Sequence, residues 1–569
     1  MIKGIGVSPG ISIGRAFIMQ KKEAALTNIL LTDRSEITAE IEKLSRAISA
    51  AIAEIEQLKS ASPSDDDIAL LETQTELLSD PEILEGVTEK ITIEHKNAND
   101  ALLEVIANLV AIFEDMDDEY MRGRAADIKD IGNRILKHVN GESSTQQQFN
   151  ADTIIIAEDL APSDTITLDL NYITGFATQM GSKTSHTAII AKAKGIPAVV
   201  GCGSELISIK NNDVIILDGA EALVYVNPDA VLLTEYQLKK AAYNEYAKGL
   251  NALKDQPAVT TDGLQILLTA NISGAADLEA VFDNGGEGVG LLRTELLFMN
   301  RDTFPSEDEQ FEFYKAVALQ SKGKPVIVRT IDIGGDKHLP YFNLPAELNP
   351  FLGYRAIRIC LDRKDLFITQ LKAILRASVF GDLKIMFPMI SNIQELRQAK
   401  VILTEAKTEL YQQNISFNAA IKTGIMIEVP SAAIIADLLA KEVDFFSIGT
   451  NDLCQYTLAV DRMNEKISHL YDPFNPAILR LISFVIEQGD KHGIHVGMCG
   501  EMAGDPLAAL LLVGMGLKDF SMSASAIPAI KNIIINNSEA KAKQVYANVR
   551  EMESPEEILK YLREVNGLL

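Results

Sequence analysis

Apolar residues change their spacing three times along this chain of 569 residues. Over positions 1–20 they stand in short runs broken by Gly and Pro, the pattern of short strands and turns. From Ile37 the steps become three and four: Ile37, Ile41, Leu44, Ile48, Ile52, Ile55 and Leu58 are apolar, with charged residues between them. That spacing puts one apolar stripe on a helix. Ser64 and Asp67 have capping-box spacing at the front of further helical text. The helical pattern resumes from about Pro81 to Val139, and Gly141 suits a C-terminal stop. Between about 147 and 230 short apolar runs return. "DTIIIA", "YITGFAT", "IPAVVG", "DVIILDG" and "ALVYVNP" read as strands of a β/α domain. Joined to the strands of 1–20, they predict a discontinuous domain interrupted by a helical insertion. Residues 231–255 read as one helix, suited to connect domains.

From about residue 260 strand and helix alternate to the end. Eight runs are strand candidates: "LQILLTA", "GVGLLR", "PVIVRTID", "LKIMFPM", "TGIMIEV", "FFSIGT", "IHVGMCG" and "KDFSMS". Eight β/α units over this length predict a (β/α)₈ barrel. The expectation is therefore a multidomain α/β chain. It has a β/α domain of 1–20 plus 147–230, an inserted all-α helical bundle of 21–146, a linker helix of 231–259 and a TIM-like barrel of 260–569.

Charge narrows the choice of partners. Lys and Arg number 53 against 79 Asp and Glu, a net charge of −26. Such a chain repels nucleic acid and anionic membrane surfaces and attracts a basic protein. Residues 21–146 hold 27 acidic against 13 basic residues, hence −14 of that charge. The segment is either a solvated bundle or an acidic docking surface. An anionic small substrate would need a local island of arginine. The four cysteines, Cys202, Cys360, Cys454 and Cys499, are scattered without CxxC spacing, which argues against a disulfide framework or a structural zinc site. No secretory leader is visible, and no apolar run approaches the ~20 residues of a membrane span. The expected location is the cytoplasm.

Reactive side chains gather at the C-terminal ends of the eight runs, where barrel active sites are built. Arg293 closes "GVGLLR" and Arg329 stands in "VIVRT". Arg355 and Arg358 lie in "NPFLGYRAIR", and Arg462 lies in "AVDRM". One arginine alone is usually half of an ion pair; several at strand ends suit an anion, whose oxygens match the guanidinium fork. Glu428 ends "GIMIE" and Asp452 follows "FFSIGTN". Two such carboxylates could share Mg²⁺ with a substrate phosphate, or pair with the arginines. Asn451 could donate to the same ligand. Cys499, beside Gly500, is either a packing residue or a proton donor or acceptor at a carbon centre. Finally, His186, one of only 7 histidines, stands in "GSKTSHTAIIAKAK" before an apolar, helix-like run. Its type and place fit a cap, a metal ligand or a nucleophile.

Taken together, "GSKTSH", "GLLRTELLFMNRD", "VIVRTIDIGGDK", "NPFLGYRAIR", "IEVPSA", "IGTNDL" with "AVDR", and "GMCGEMAGD" resemble enzyme I of the phosphoenolpyruvate-dependent sugar phosphotransferase system. The likeness runs through nearly the whole chain, in order. It implies transfer of phosphoryl from phosphoenolpyruvate to His186, then to a histidine of the carrier HPr. It also implies phosphoenolpyruvate binding by Arg293, Arg329, Arg355, Asn451, Asp452 and Arg462, Mg²⁺ on Glu428 and Asp452, and Cys499 as the proton donor that releases pyruvate. An HPr-docking helical domain, a swivelling phosphohistidine domain and a homodimer through the barrels complete the expectation. Neutral imidazole is a workable nucleophile near pH 7, and a helix N-terminus favours the phosphoryl it would carry. Thr184 and Ser185 could add hydroxyl donors. Where the family shows two glycines and an arginine before its histidine motif, this chain has Gly181, Ser182 and Lys183. Lysine keeps the charge but loses the planar fork. A pyruvate phosphate dikinase or phosphoenolpyruvate synthase relative would need an ATP-binding domain, for which no segment is long enough. A non-catalytic paralogue would lack His186, Cys499 or the metal carboxylates, and all are present.

Overall fold

The computed structural model describes the chain apart from residues 20–25, 62–73, 76, 79–80, 115–118, 142–148, 150–151, 161–167, 169–171, 182–185, 300, 336, 338, 340, 343, 345–346, 465 and 568–569. Ser64, Asp67, Ser182, Lys183, Thr184 and Ser185 thus lie outside the described residues. The chain divides into two compact units, Met1–Tyr246 and Ala247–Leu569.

In the first unit, strands on either side of a helical stretch form one sheet. They are β1 (Ile2–Lys3), β2 (Ile5–Ser8), β3 (Ile11–Met19), β4 (Thr153–Ala157), β5 (Ile173–Thr178), β6 (Ala198–Val200), β7 (Val214–Asp218) and β8 (Leu223–Val226). Their order in the sheet is β1-β8-β7-β3-β4-β5-β6-β2. β3 pairs in parallel with β4, although the helices Arg34–Ala61, Pro81–Ile93, Ala98–Glu114 and Glu119–Val139 separate them in sequence. The unbroken apolar run of β4 follows from burial on both faces: Ile154 and Ile156 enter one apolar cluster, Ile155 and Ala157 another. The period-3.6 stripe of the first long helix is buried as its spacing predicts. Leu44 and Ile55 join the core beside Ala47 and Ala51, and Ile37, Ile41, Ile48 and Ile52 pack against it. The side chain of Leu58 is not among those described. Asp33 caps this helix by accepting the Ser35 and Glu36 N–H groups at 2.7 and 3.0 Å, and Glu36 reaches back to the Thr32 N–H at 2.6 Å. Gly141 follows the last helix with φ +67°, the left-handed stop expected of it. The connector text forms the helix Ala230–Asn251. Among the described residues no helix is long and apolar enough to cross a membrane.

In the second unit all eight predicted runs are strands of a closed barrel. They are β9 (Leu267–Ile272), β10 (Val289–Leu292), β11 (Val326–Arg329), β12 (Leu383–Phe387), β13 (Thr423–Ile427), β14 (Phe445–Ile448), β15 (His495–Met498) and β16 (Asp519–Met522). Every neighbouring pair is parallel, and β16 closes on β9. Alternation sorts the side chains. Leu292, Val328, Ile427, Phe446 and Ile448 join the main core of the unit. Leu291, Ile327, Met386, Met426 and Phe445 form a separate apolar cluster together with Cys499. Gly424 makes room within it, since a Cβ there would lie 2.5 Å from the Phe445 ring. That inner layer is the floor on which the strand-end residues stand.

Candidate active site

Five of the eight strand ends, those of β10, β11, β13, β14 and β15, deliver a reactive group to the C-terminal mouth of the barrel. Arg293 directly follows β10, and Arg329 is the last residue of β11. Glu428 follows β13, Cys499 follows β15, and Asn451 and Asp452 lie in the first turn of the helix Thr450–Leu458 after β14. Arg355 and Arg462 come from loops, one before the helix Ile357–Asp362 and one after Thr450–Leu458.

Four of these residues form one charged network. Arg329 donates through Nη2 to Glu295 Oε1 at 2.8 Å, and its Nη1 lies 3.1 Å from Asp332 Oδ2. Arg355 Nη2 donates to Asp332 Oδ1 at 3.0 Å and to Asp452 Oδ2 at 3.3 Å. Arg462 Nη1 donates to the other oxygen of Asp452 at 3.1 Å. Lys337 Nζ adds a third cation to Asp332, 3.3 Å from Oδ2. Glu295, Arg329, Asp332, Arg355, Glu428 and Asp452 are all buried. Buried charges persist only when paired, and here four cations face four carboxylates. The pairing leaves orphans: Arg329 Nε, Arg355 Nε and Thr450 Oγ1 are buried with no hydrogen-bond partner. Each such group costs about 1–3 kcal/mol until a ligand satisfies it.

The surroundings tune each group. Burial by itself would raise the Asp332 carboxyl, but Lys337, Arg329 and Arg355 outweigh it and hold the group far below the usual range. Glu428 has the opposite balance. Burial comes first and the facing carboxylates Asp452 and Asp332 add to it, so its carboxyl is held well above the usual range despite Arg329 and Arg355. Burial pushes the Cys499 thiol up to about 11. Backbone strain surrounds the mouth as well. Ala356, Met389 and Ala459 have φ of +50°, +56° and +53°. They adjoin Arg355, donate an N–H to Glu428 Oε1 at 2.6 Å, and end the Asp452 helix, respectively. Non-glycine residues in this region cost about 1–3 kcal/mol each and concentrate at functional sites.

Other expected residues sit at the edges of the network. Arg293 is exposed and lines a cavity of about 310 Å³ with Asn271, Ser273, Glu501 and Ser523. Asn271 joins that cavity to Cys499: it donates to the Cys499 carbonyl at 2.9 Å and accepts from Ser521 at 2.6 Å. The Asn451 side chain accepts the Glu501 N–H at 3.0 Å, tying the loops after β14 and β15 together. Arg358 donates to the Leu352 and Gly353 carbonyls and shapes its own loop. Cys454 is buried, its thiol pushed up to about 12 by desolvation. His186 belongs to the other unit, where it opens the helix His186–Lys194; its side chain is not among those described.

Glu295, Asp332, Lys337, Tyr456 and Asn271 were not singled out from sequence. Glu295, Asp332 and Lys337 all stand inside the motifs that contain Arg293 and Arg329, and the signal lay there: a buried arginine needs a carboxylate within reach.

The donors also bear on a metal. Among the described residues no three His, Cys, Asp or Glu side chains gather as a metal-binding group. Glu428 and Asp452 are both buried, and burial together with the Asp452 and Asp332 charges raises the Glu428 carboxyl more than Arg329 and Arg355 lower it. An oxygen-seeking divalent cation that takes further ligands from water and substrate fits this pair.

Three family profiles match the chain: PEP-utilising enzyme, PEP-binding domain over residues 247–539; PEP-utilising enzyme, N-terminal, over 3–124; and PEP-utilising enzyme, mobile domain, over 149–222. Among curated proteins it is 47% identical to a phosphoenolpyruvate-protein phosphotransferase of Priestia megaterium, covering 99% of this chain and 98% of that one. Proteins of the same name from Geobacillus stearothermophilus and Bacillus subtilis (strain 168) are each 46% identical. They cover 100% and 99% of this chain, and 98% and 99% of their own lengths.

Proposed function

From the premise that this chain belongs to the phosphoenolpyruvate-protein phosphotransferase family, enzyme I of the sugar phosphotransferase system, we propose how its residues divide the reaction. The enzyme moves the phosphoryl group of phosphoenolpyruvate onto protein, the first step of sugar uptake by that system. In our reading Arg293, Arg329, Arg355, Asn451, Asp452 and Arg462 hold phosphoenolpyruvate. The unpaired Nε groups of Arg329 and Arg355 are the donors waiting for its oxygens. The family's chemistry uses a divalent metal; we take it to be Mg²⁺, which Glu428 and Asp452 would hold and which would supply positive charge to offset that of the phosphoryl group.

The imidazole of His186 attacks phosphorus. A P–N bond forms, the P–O bond to the enol oxygen breaks, and its electron pair stays on that oxygen as the enolate. Cys499 then gives its S–H proton to the enolate methylene carbon, and pyruvate leaves. A thiol held near 11 keeps that proton at neutral pH, as an acid in this role must. Phosphohistidine next passes its phosphoryl group to a histidine of HPr, which we place on the acidic helical domain of 21–146. His186 must serve both sites, so we assign it to a domain, 1–20 plus 147–230, that swivels about the connector of 231–260 and the linker of 141–150. A homodimer through the 260–569 barrels, working in the cytoplasm, completes the proposal.

The observation that carries this reading is a buried guanidinium pair with orphaned Nε groups at the mouth of a parallel barrel, in a chain 46–47% identical to such enzymes. The test is incubation of the wild type and His186→Ala with labelled phosphoenolpyruvate and Mg²⁺. Acid-labile, base-stable label should appear on the wild type alone and chase onto added HPr. Label on His186→Ala at the wild-type level defeats the assignment.

A further inference from the structure

Both oxygens of one buried carboxylate are occupied by groups that belong to the substrate site. Asp332 Oδ1 accepts from Arg355 Nη2 at 3.0 Å, and Oδ2 lies 3.1 Å from Arg329 Nη1 and 3.3 Å from Lys337 Nζ. Asp332 is 1% exposed. The approach is built into the backbone. Gly334 has φ +99°, and a Cβ there would lie 2.6 Å from Arg355 Cβ and 2.8 Å from the Tyr354 carbonyl oxygen. Only a glycine lets the Asp332 loop pass this close to Arg355. The Ala356 N–H donates to the Ile333 carbonyl at 2.9 Å, a second tie between the two segments. Tyr456 accepts from Arg355 Nη1 at 2.9 Å and donates to the Phe351 carbonyl at 2.5 Å, which completes the clamp.

We infer that Asp332 is a positioning residue for substrate binding: one carboxylate that fixes the guanidinium planes of Arg329 and Arg355 so that the Nε–H of each stays free for the substrate anion. The inference rests on the reading above, in which those arginines hold phosphoenolpyruvate. It makes a prediction opposite in sign to simple Coulomb attraction. Removing a negative charge beside an anion site strengthens the field that draws the anion in. Loosening two long side chains weakens binding, because their rotamers must then be ordered on each encounter. If positioning dominates, loss of the charge raises KM.

Asp332→Asn keeps the shape and removes the charge. With saturating Mg²⁺ and HPr, its KM for phosphoenolpyruvate should rise about tenfold or more, with kcat changing less. A merely structural role would lower the active fraction, hence apparent kcat, and leave KM alone. Asp332→Glu retains charge at a displaced position and should also raise KM. Tyr456→Phe, which keeps every charge and removes one acceptor from Arg355, should raise KM by a smaller factor and serves in place of Asp332→Asn if that variant does not fold. Arg329→Ala separates the two levels of the argument. Raised KM in Arg329→Ala with unchanged or lowered KM in Asp332→Asn overturns the positioning role alone. Unchanged KM in Arg329→Ala overturns the substrate-binding reading beneath it.

Discussion

Replacing Gly500 by alanine perturbs the mouth without touching a charged group. Gly500 follows Cys499, and its φ of −72° is open to any residue, so the backbone offers no objection. The obstacle is space. A Cβ at this position would lie 2.5 Å from Thr450 N and 2.8 Å from Thr450 Cβ, and 1.8 Å from Thr450 Oγ1. The hydroxyl can rotate away, whereas the backbone nitrogen can only move with its helix. To open 2.5 Å to the 3.0 Å that real Cβ atoms respect, the loops after β14 and β15 must part by about 0.5 Å. The Glu501 N–H to Asn451 Oδ1 bond, now 3.0 Å, would then be near its limit. Cys499, the preceding residue, would shift with its loop. Overpacking of this kind costs about 1–3 kcal/mol of stability, and a misplacement approaching 1 Å costs a reaction on the order of 10²-fold. Gly500→Ala should therefore unfold earlier on heating and lose on the order of 10- to 100-fold in kcat/KM for phosphoenolpyruvate. Gly493→Ala is the control. Its φ of +68° strains an alanine, but nothing lies within 4 Å of the added methyl, so it should lose about 1 kcal/mol of stability and no activity. Thermal melts and steady-state pyruvate release read both variants. Wild-type kcat/KM and melting in Gly500→Ala would refute the steric argument.

Three further outcomes follow from the same geometry. Glu428→Gln should melt at higher temperature than the wild type in chelator at neutral pH, because it removes a carboxyl that ionises in the unfolded chain but whose ionisation in the fold is opposed by burial, Asp452 and Asp332. The same change should raise the Mg²⁺ concentration for half-maximal activity by more than about tenfold, and a shift in neither quantity would contradict the metal assignment. The thiols of Cys202 and Cys499 are pushed up to about 11 and that of Cys454 to about 12, from an ordinary 9.0, all by burial. Their neutral form is favoured in the fold, so this contribution to stability is intact below 9 and is lost as pH rises through 11 to 12; folded protein should resist alkylation at pH 8, and rapid labelling there would count against it. Raising salt from about 0.1 to 1 M shortens the screening length from about 10 to 3 Å. The KM for HPr should then climb severalfold with kcat steady, and a flat response would remove the acidic surface of 21–146 from the docking account.

Barrel strands such as β11 and β13 were legible because a strand buried on both faces favours a nearly unbroken apolar run, and that requirement is local. The stripe from Ile37 to Ile55 was legible for the same reason at period 3.6. The arginines, carboxylates and cysteine at the ends of those runs could be placed at one mouth once the runs were counted, since parallel strands deliver their C-terminal ends to the same side. Their partners could not be placed. That Arg329 would spend its terminal nitrogens on Glu295 and Asp332 depends on two loops folding over the mouth.

Sequence by itself thus determined which segments become strands and helices and which reactive groups sit at their ends, because both follow from side-chain periodicity over a few residues. Tertiary structure alone decided which cations meet which carboxylates, which nitrogens are left unpaired, and why the Glu428 and Cys499 protons are held so firmly. Pairing at 3 Å and loss of water are set by neighbours far away in the chain, such as Arg355 and Asp452, which come together only when the barrel closes.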